Sequence, residues 1–228
     1  MTLTDTDKKL ASGVAAKPAV FVDGASGTTG LEIGERLSRQ GDVIVKNIAE
    51  DKRKDAAAKR ALMEEVDLVI LCLPDDAAKE TVALIDTMGN AAPRVLDAST
   101  AFRVAPDWAY GFPELAPDQA GKIKAAKKVS NPGCYPTGAI ALLRPLVDAG
   151  LMPADYPVTI NAVSGYSGGG KSLIASFEGG TAPSFELYVF GSDKHHQAVL
   201  VARLDNLGKG ASGAAVQNMR LMLGLSDA

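Results

Sequence analysis

Through Asn131, short apolar runs alternate with stretches of helical periodicity. The run "AVFV" (19–22) is of buried-strand type. It ends in "DGASGTTG", and "LEIGERLSRQG" then repeats apolar residues at helical spacing and closes on glycine. "DVIVKNI" predicts a second strand, and "RKDAAAKRALMEEV" a polar, alanine-rich helix. "DLVILCLP" is apolar throughout, the pattern of a strand covered on both faces. "DDAAKETVALIDTMG" predicts a helix that opens on aspartate, "PRVLDAS" a fourth strand and "KKVSN" a fifth. This alternation predicts an α/β fold: a Rossmann-type parallel sheet with helices on both faces, over residues 18–133.

From Cys134 the texture changes. "AIALLRPLVDAGL" is an apolar helical run. "YPVTINAVSG" reads as a strand, a glycine-rich loop "SGYSGGGKS" follows, and "SFELYVFGS" and "QAVLVARL" are both strand-like. We expect a second, α+β domain over 134–204. "DNLGKGASGAAVQNMRLMLGL" reads as a turn entering a helix, and residues 205–228 are expected to return to the first domain.

Composition narrows the function classes. Of the 228 residues, 46% are hydrophobic and 22% charged, ample for a core. A net charge of -3 gives no electrostatic case for nucleic acid or an anionic membrane. No apolar run approaches the roughly 20 residues of a membrane span. The opening "MTLTDTDKKLASGVAAK" lacks the apolar core of a signal peptide and reads as a frayed tail. Two cysteines, Cys72 and Cys134, make no disulfide framework, so a reducing cytoplasm is expected. No metal site is expected.

Candidate chemistry falls in two places. "GASGTTG" sets Gly24, Gly27 and Gly30 between the first strand and a helix, where backbone N–H groups and the helix dipole favour a pyrophosphate. The spacing departs from G-x-G-x-x-G, and a tight turn with no ligand is the alternative. After the second strand, Glu50 and Asp51 are followed at once by Lys52, Arg53 and Lys54. That cluster suits the 2′-phosphate of NADP, with a solvated loop of mixed charge as the other reading. The second place is "SNPGCYPTG". Cys72 sits inside an apolar strand and reads as packing. Cys134 instead stands where a strand stops and a helix begins, and a helix N-terminus stabilises a thiolate, which is how a nucleophile is prepared.

The segment "SNPGCYPTGAIALLRPL" resembles the nucleophile segment of the N-acetyl-gamma-glutamyl-phosphate reductases, in their shorter form, within the aspartate-semialdehyde dehydrogenase-like superfamily. "GASGTTG", "LDASTAFR", "YGFPEL", "VSGYSGGGK" and "LDNLGKGASGAAVQNM" resemble further segments of that family in the same order. The resemblance implies NADPH-dependent reduction of an acyl phosphate, N-acetyl-glutamyl 5-phosphate, through a thioester on Cys134, in arginine biosynthesis. It implies a homo-oligomer. By the same resemblance Gly24, Ser26, Gly27, Thr28, Thr29, Gly30, Ser99 and Asn206 are expected at the NADP(H) cofactor. Arg103, Asn131, Ser164 and Gly165 are expected at the substrate, and Arg103 is suited to grip a carboxylate or the leaving phosphate. Related reductases of aspartyl or aminoadipyl phosphate, and a shortened NADP-binding module without catalysis, remain alternatives.

The pattern breaks in one respect. The family carries a longer substrate domain, with a histidine in a stretch like "H-x-H-x-P-E" as acid/base partner of the cysteine. Here "SFELY" runs straight into "VFGSDKHHQ", and the substrate domain is expected to be shortened near Tyr188 and Val189. His195 and His196 are the only histidines and read as a polar turn.

Overall fold

The computed structural model describes residues 16–163, 185–194, 197–205 and 208–226. Six strands form one parallel sheet: β1 (Ala19–Asp23), β2 (Ile44–Lys46), β3 (Leu68–Leu71), β4 (Arg94–Asp97), β5 (Ala109–Tyr110) and β6 (Lys128–Ser130). Their order is β2-β1-β3-β4-β6-β5. The chain leaves β1 toward β2 on one side and returns to β3 on the other. The strand order therefore reverses between β1 and β3, where open α/β sheets leave a crevice at their carboxyl ends.

Five helices serve this sheet or leave it: α1 (Thr28–Ser38), α2 (Ala56–Met63), α3 (Asp75–Asp86), α4 (Gln119–Ala125) and α5 (Cys134–Asp148). The alternation of side chains along β1 divides the core. Val20 and Val22 pack with Ile33 and Leu37 of α1 on one face, while Ala19 and Phe21 pack with Met63, Val82 and Ile85 of α2 and α3 on the other. The last helix, α6 (Gly213–Leu223), follows a π-helical turn at Gly208–Ser212. Its Ala215, Val216, Met219 and Met222 join the α1 side of the core. The final helix thus lies on the sheet of the first domain. Buried Asn218 ties it there, donating to Gly111 O at 2.8 Å and to Asn131 Oδ1 at 3.1 Å.

Beyond α5 the described chain holds a two-stranded antiparallel ribbon, β7 (Phe185–Ser192) with β8 (Gln197–Leu204). Tyr188 and Val189 lie in mid-strand and pair with Val201 and Leu200, without a bulge. One face of the ribbon rests on α5: a Cβ placed on Gly138 would lie 3.0 Å from the Ala202 Cβ. On the other face Tyr188, Phe190, Val199 and Val201 are exposed. The strand expected at "YPVTINAVSG" does not form over its described residues 156–163. Val158, Ile160 and Val163 of that run are exposed, and no described strand pairs with it. An apolar run becomes a strand only when its backbone groups find a ladder partner.

Candidate active site

The loop from β1 to α1 is shaped by close backbone contact. Gly24 has φ +88, and a Cβ there would lie 2.2 Å from the carbonyl oxygen of Cys72. A Cβ on Gly30 would lie 2.3 Å from the carbonyl oxygen of Gly24. Glycine at these two positions lets β1, the β3 end and the first turn of α1 sit against one another. Gly27 is the N-cap of α1, with no side-chain cap. Its N–H closes the turn on Gly24 O at 3.1 Å. Gly27, Thr28, Thr29, Gly30, Cys72, Leu73 and Ala98 line a cleft of about 300 Å³ at the β1–β3 reversal. Open N–H groups at the start of α1, a favourable dipole and small side chains fit a dinucleotide's pyrophosphate. Ser26 is exposed in the same loop and is not among the residues lining the cleft.

Cys72 borders this cleft but is not prepared for nucleophilic work. Burial pushes its thiol up to about 12, and the carboxylates of Asp97 and Asp23 push the same way.

Ser99, at the end of β4, is buried and its hydroxyl is committed internally. It donates to Asp97 Oδ2 at 2.6 Å and accepts from Ala101 N at 3.1 Å. Ser99, expected at the cofactor, fixes the "ASTAFR" turn through these two bonds. Asp97 beneath it is fully buried, and burial raises its carboxyl pKa. The turn is held from the other side by Asp75, whose carboxylate accepts from Thr100 N at 2.9 Å and from the Thr100 hydroxyl.

That turn delivers Arg103 to the second half of the site. Gly133 has φ +84, and a Cβ there would lie 2.6 Å from Arg103 Nη2 and 2.7 Å from its Cζ. The guanidinium therefore lies across Gly133, the residue immediately before Cys134. Arg103 Nε is buried without a hydrogen-bond partner among the described residues. Gly133 caps α5, and Cys134 is its first residue and half-buried. Thr137 closes the first turn, its N–H and its hydroxyl donating to Gly133 O at 3.1 and 2.7 Å. Pro136 has no N–H to offer. The free donors at this helix start are therefore those of Cys134 and Tyr135. Glycine at 133 permits both the left-handed turn into the helix and the approach of Arg103.

Asn131 was expected at the substrate, yet its side chain is 2% exposed. Its Nδ2 donates to Ala211 O at 3.0 Å and its Oδ1 accepts from Asn218. It clamps the strand end before Cys134 to α6 and its entry turn. Lys209 reinforces that clamp, donating to both oxygens of Glu114 at 2.7 and 2.9 Å. Asn206, Ser164, Gly165, His195, His196 and the "SGYSGGGK" run lie outside the described residues. Among the described residues no group of three or more His, Cys, Asp or Glu is placed to hold a metal, and no helix is long and apolar enough to cross a membrane.

Sequence reasoning missed the ion pair of Lys59 Nζ with Asp23 Oδ2 at 2.7 Å. Its partners are 36 residues apart, and neither belongs to a motif.

Residues 19–123 match the family model of the semialdehyde dehydrogenase NAD binding domain, and residues 134–200 that of the semialdehyde dehydrogenase dimerisation domain. The N-acetyl-gamma-glutamyl-phosphate reductases of Brucella ovis and Brucella canis are each 39% identical over 310 residues, covering 91% of this chain and 99% of theirs. Those 310 aligned positions exceed the 228 residues here, so at least 82 positions of these relatives have no counterpart in this chain. The fold matches that of aspartate semialdehyde dehydrogenase II from Vibrio cholerae, with a TM-score of 0.60 at 15% identity, over 92% of this chain and 99% of that one. The chain belongs to the N-acetyl-gamma-glutamyl-phosphate reductase family, within the semialdehyde dehydrogenases.

Proposed function

We propose that this chain is an NADPH-dependent acyl-phosphate reductase, acting on N-acetyl-glutamyl 5-phosphate in arginine biosynthesis, in the cytoplasm. The observation that carries this reading is the setting of Cys134: first residue of α5, with the Arg103 guanidinium across the preceding glycine. The Cys134 thiolate attacks the acyl carbonyl. A C–S bond forms, the C–O bond to phosphate breaks, and phosphate leaves beside Arg103. The helix start favours the oxygen that gains charge. Bound NADPH supplies the hydride that reduces the thioester carbon. Breaking the C–S bond then releases N-acetyl-glutamate 5-semialdehyde and restores the Cys134 thiolate. The α1 N-terminus with Gly27 to Gly30 holds the pyrophosphate, and the cluster Lys52, Arg53 and Lys54 the 2′-phosphate. Residues 18–133 with 205–228 form the cofactor unit, and 134–204 the substrate unit. A homo-oligomer is supported by the match to a dimerisation domain and by the exposed apolar face of the β7–β8 ribbon.

The test is turnover with NADPH on acetyl-glutamyl, aspartyl and aminoadipyl phosphates. Preference for the first supports the assignment, and preference for either other substrate overturns it. The positions absent relative to the Brucella enzymes favour one further reading, a shortened NADP-binding module. NADPH binding with no turnover on any of the three substrates identifies it.

A further inference from the structure

Asp23 ends β1, is 5% exposed and immediately precedes the glycine loop. Its backbone oxygen accepts from Cys72 N at 2.8 Å, and Cys72 borders the cleft. A negative charge therefore stands one residue from the place where a dinucleotide's phosphates would gather. Burial keeps water from screening it. Burial and the Asp97 and Asp23 carboxylates together push up the thiol of Cys72, which borders the cleft.

Lys59 answers this charge. It projects from α2, whose start is capped by Asp55 accepting from Ala57 N and Ala58 N at 2.9 and 3.2 Å. Its Nζ lies 2.7 Å from Asp23 Oδ2, with side-chain exposures of 16% and 6% for the pair. Asp55 directly follows the Lys52–Arg53–Lys54 cluster. The cluster thus lies just ahead of the helix that carries the counter-ion for Asp23. At the end of β2, where an NAD enzyme offers an acid to the ribose 2′-hydroxyl, Lys46 is instead paired with Glu65 at 2.7 Å. Asp23, at the end of the neighbouring strand β1, is a buried acid beside the cleft, and Lys59 covers it.

We propose that Lys59 is a specificity-determining residue for the cofactor: by neutralising Asp23 it removes from beside the cleft a charge that would repel NADPH, with its extra 2′-phosphate, more than NADH. Both nucleotides carry the pyrophosphate but NADPH adds the charge of the 2′-phosphate, so uncovering Asp23 penalises NADPH more. The inference rests on the NADPH reading above.

The test is fluorescence titration of the full chain with NADPH and with NADH, for the wild type and for Lys59→Met, Lys59→Arg, Asp23→Asn and the double variant Asp23→Asn/Lys59→Met. Lys59→Met is expected to lower the NADPH:NADH affinity ratio by roughly tenfold. Lys59→Arg keeps the charge and the ratio. The double variant recovers most of the ratio, because no charge is left exposed. A wild-type preference for NADPH that Lys59→Met leaves unchanged, or that the double variant fails to recover, overturns the role of Lys59 alone. Equal wild-type affinities overturn the NADPH reading as well. If Lys59→Met does not fold, Asp23→Asn decides: the ratio must hold or rise, and a fall contradicts the proposal.

Discussion

Two thiols in one chain have opposite surroundings, and this difference can be measured. Cys134 is half-buried at a helix start, whereas the Cys72 thiol is pushed up to about 12 by burial and by Asp97 and Asp23. Iodoacetamide near neutral pH should therefore label Cys134 well before Cys72, as read by peptide mapping; equal rates would contradict the assignment. The buried thiol also ties stability to pH. Its folded value is raised above the ordinary 9.0, so the neutral form is the one the fold favours. That contribution is complete below about pH 9 and is lost as pH rises toward 12, amounting to roughly 4 kcal/mol at most. Urea midpoints at pH 8 and pH 10.5 should accordingly fall further for the wild type than for Cys72→Ala. Parallel falls would remove the thiol as the cause. At Gly133 the φ of +84 and the Arg103 guanidinium act together. Gly133→Ala should cost about 1–3 kcal/mol in urea denaturation and displace Arg103 from beside Cys134. A variant of unchanged stability and turnover would show that the contact is dispensable.

At the scale of elements, the strands that the sequence made legible are those buried on both faces. β3 is a continuous apolar run, β1 is one up to its terminal Asp23, and β4 has an apolar centre at Val95 and Leu96, as a parallel strand between two helix layers requires. The glycine loop and the helix starting at Cys134 were legible because glycine and proline punctuate the chain for steric reasons that need no tertiary context. β5 was not: "AY" is two residues that become a strand only by pairing with β6. The failure at 156–163 is the converse, an apolar run whose partner is missing among the described strands. The family resemblance places Asn131 at the substrate and Ser99 at the cofactor. Their hydrogen-bond partners within the protein are set by packing and were not legible: Ala211 and Asn218 come from the π-helical turn and α6 nearly at the other end of the chain, and Asp97 from buried strand β4. The juxtaposition of Arg103 and Gly133 was likewise invisible, since it depends on how the β4 turn folds over the β6 end.

For the whole molecule, the shortened substrate domain is the feature with the largest consequences. The β7–β8 ribbon exposes Tyr188, Phe190, Val199 and Val201 on one face. Apolar faces of this kind drive association. Sedimentation analysis should show self-association that Phe190→Glu weakens; a monomer unaffected by that substitution would contradict the role of the ribbon. The sequence also lacks the family's histidine stretch. A positioned acid/base is worth roughly 10² to 10⁴ in rate, so turnover should fall below that of a longer relative by about that factor. Intact mass establishes the length of the chain in the same sample. On the proposed mechanism acylation depends on Cys134 and requires no NADPH, so it isolates the central claim from the proton handling of later steps. The decisive measurement is peptide-mapping mass spectrometry after mixing the protein with N-acetyl-glutamyl 5-phosphate in the absence of NADPH. The account predicts an N-acetyl-glutamyl group on Cys134, absent from Cys134→Ser and retained in Cys72→Ser. An acyl group found on Cys72, or none at Cys134, would contradict it.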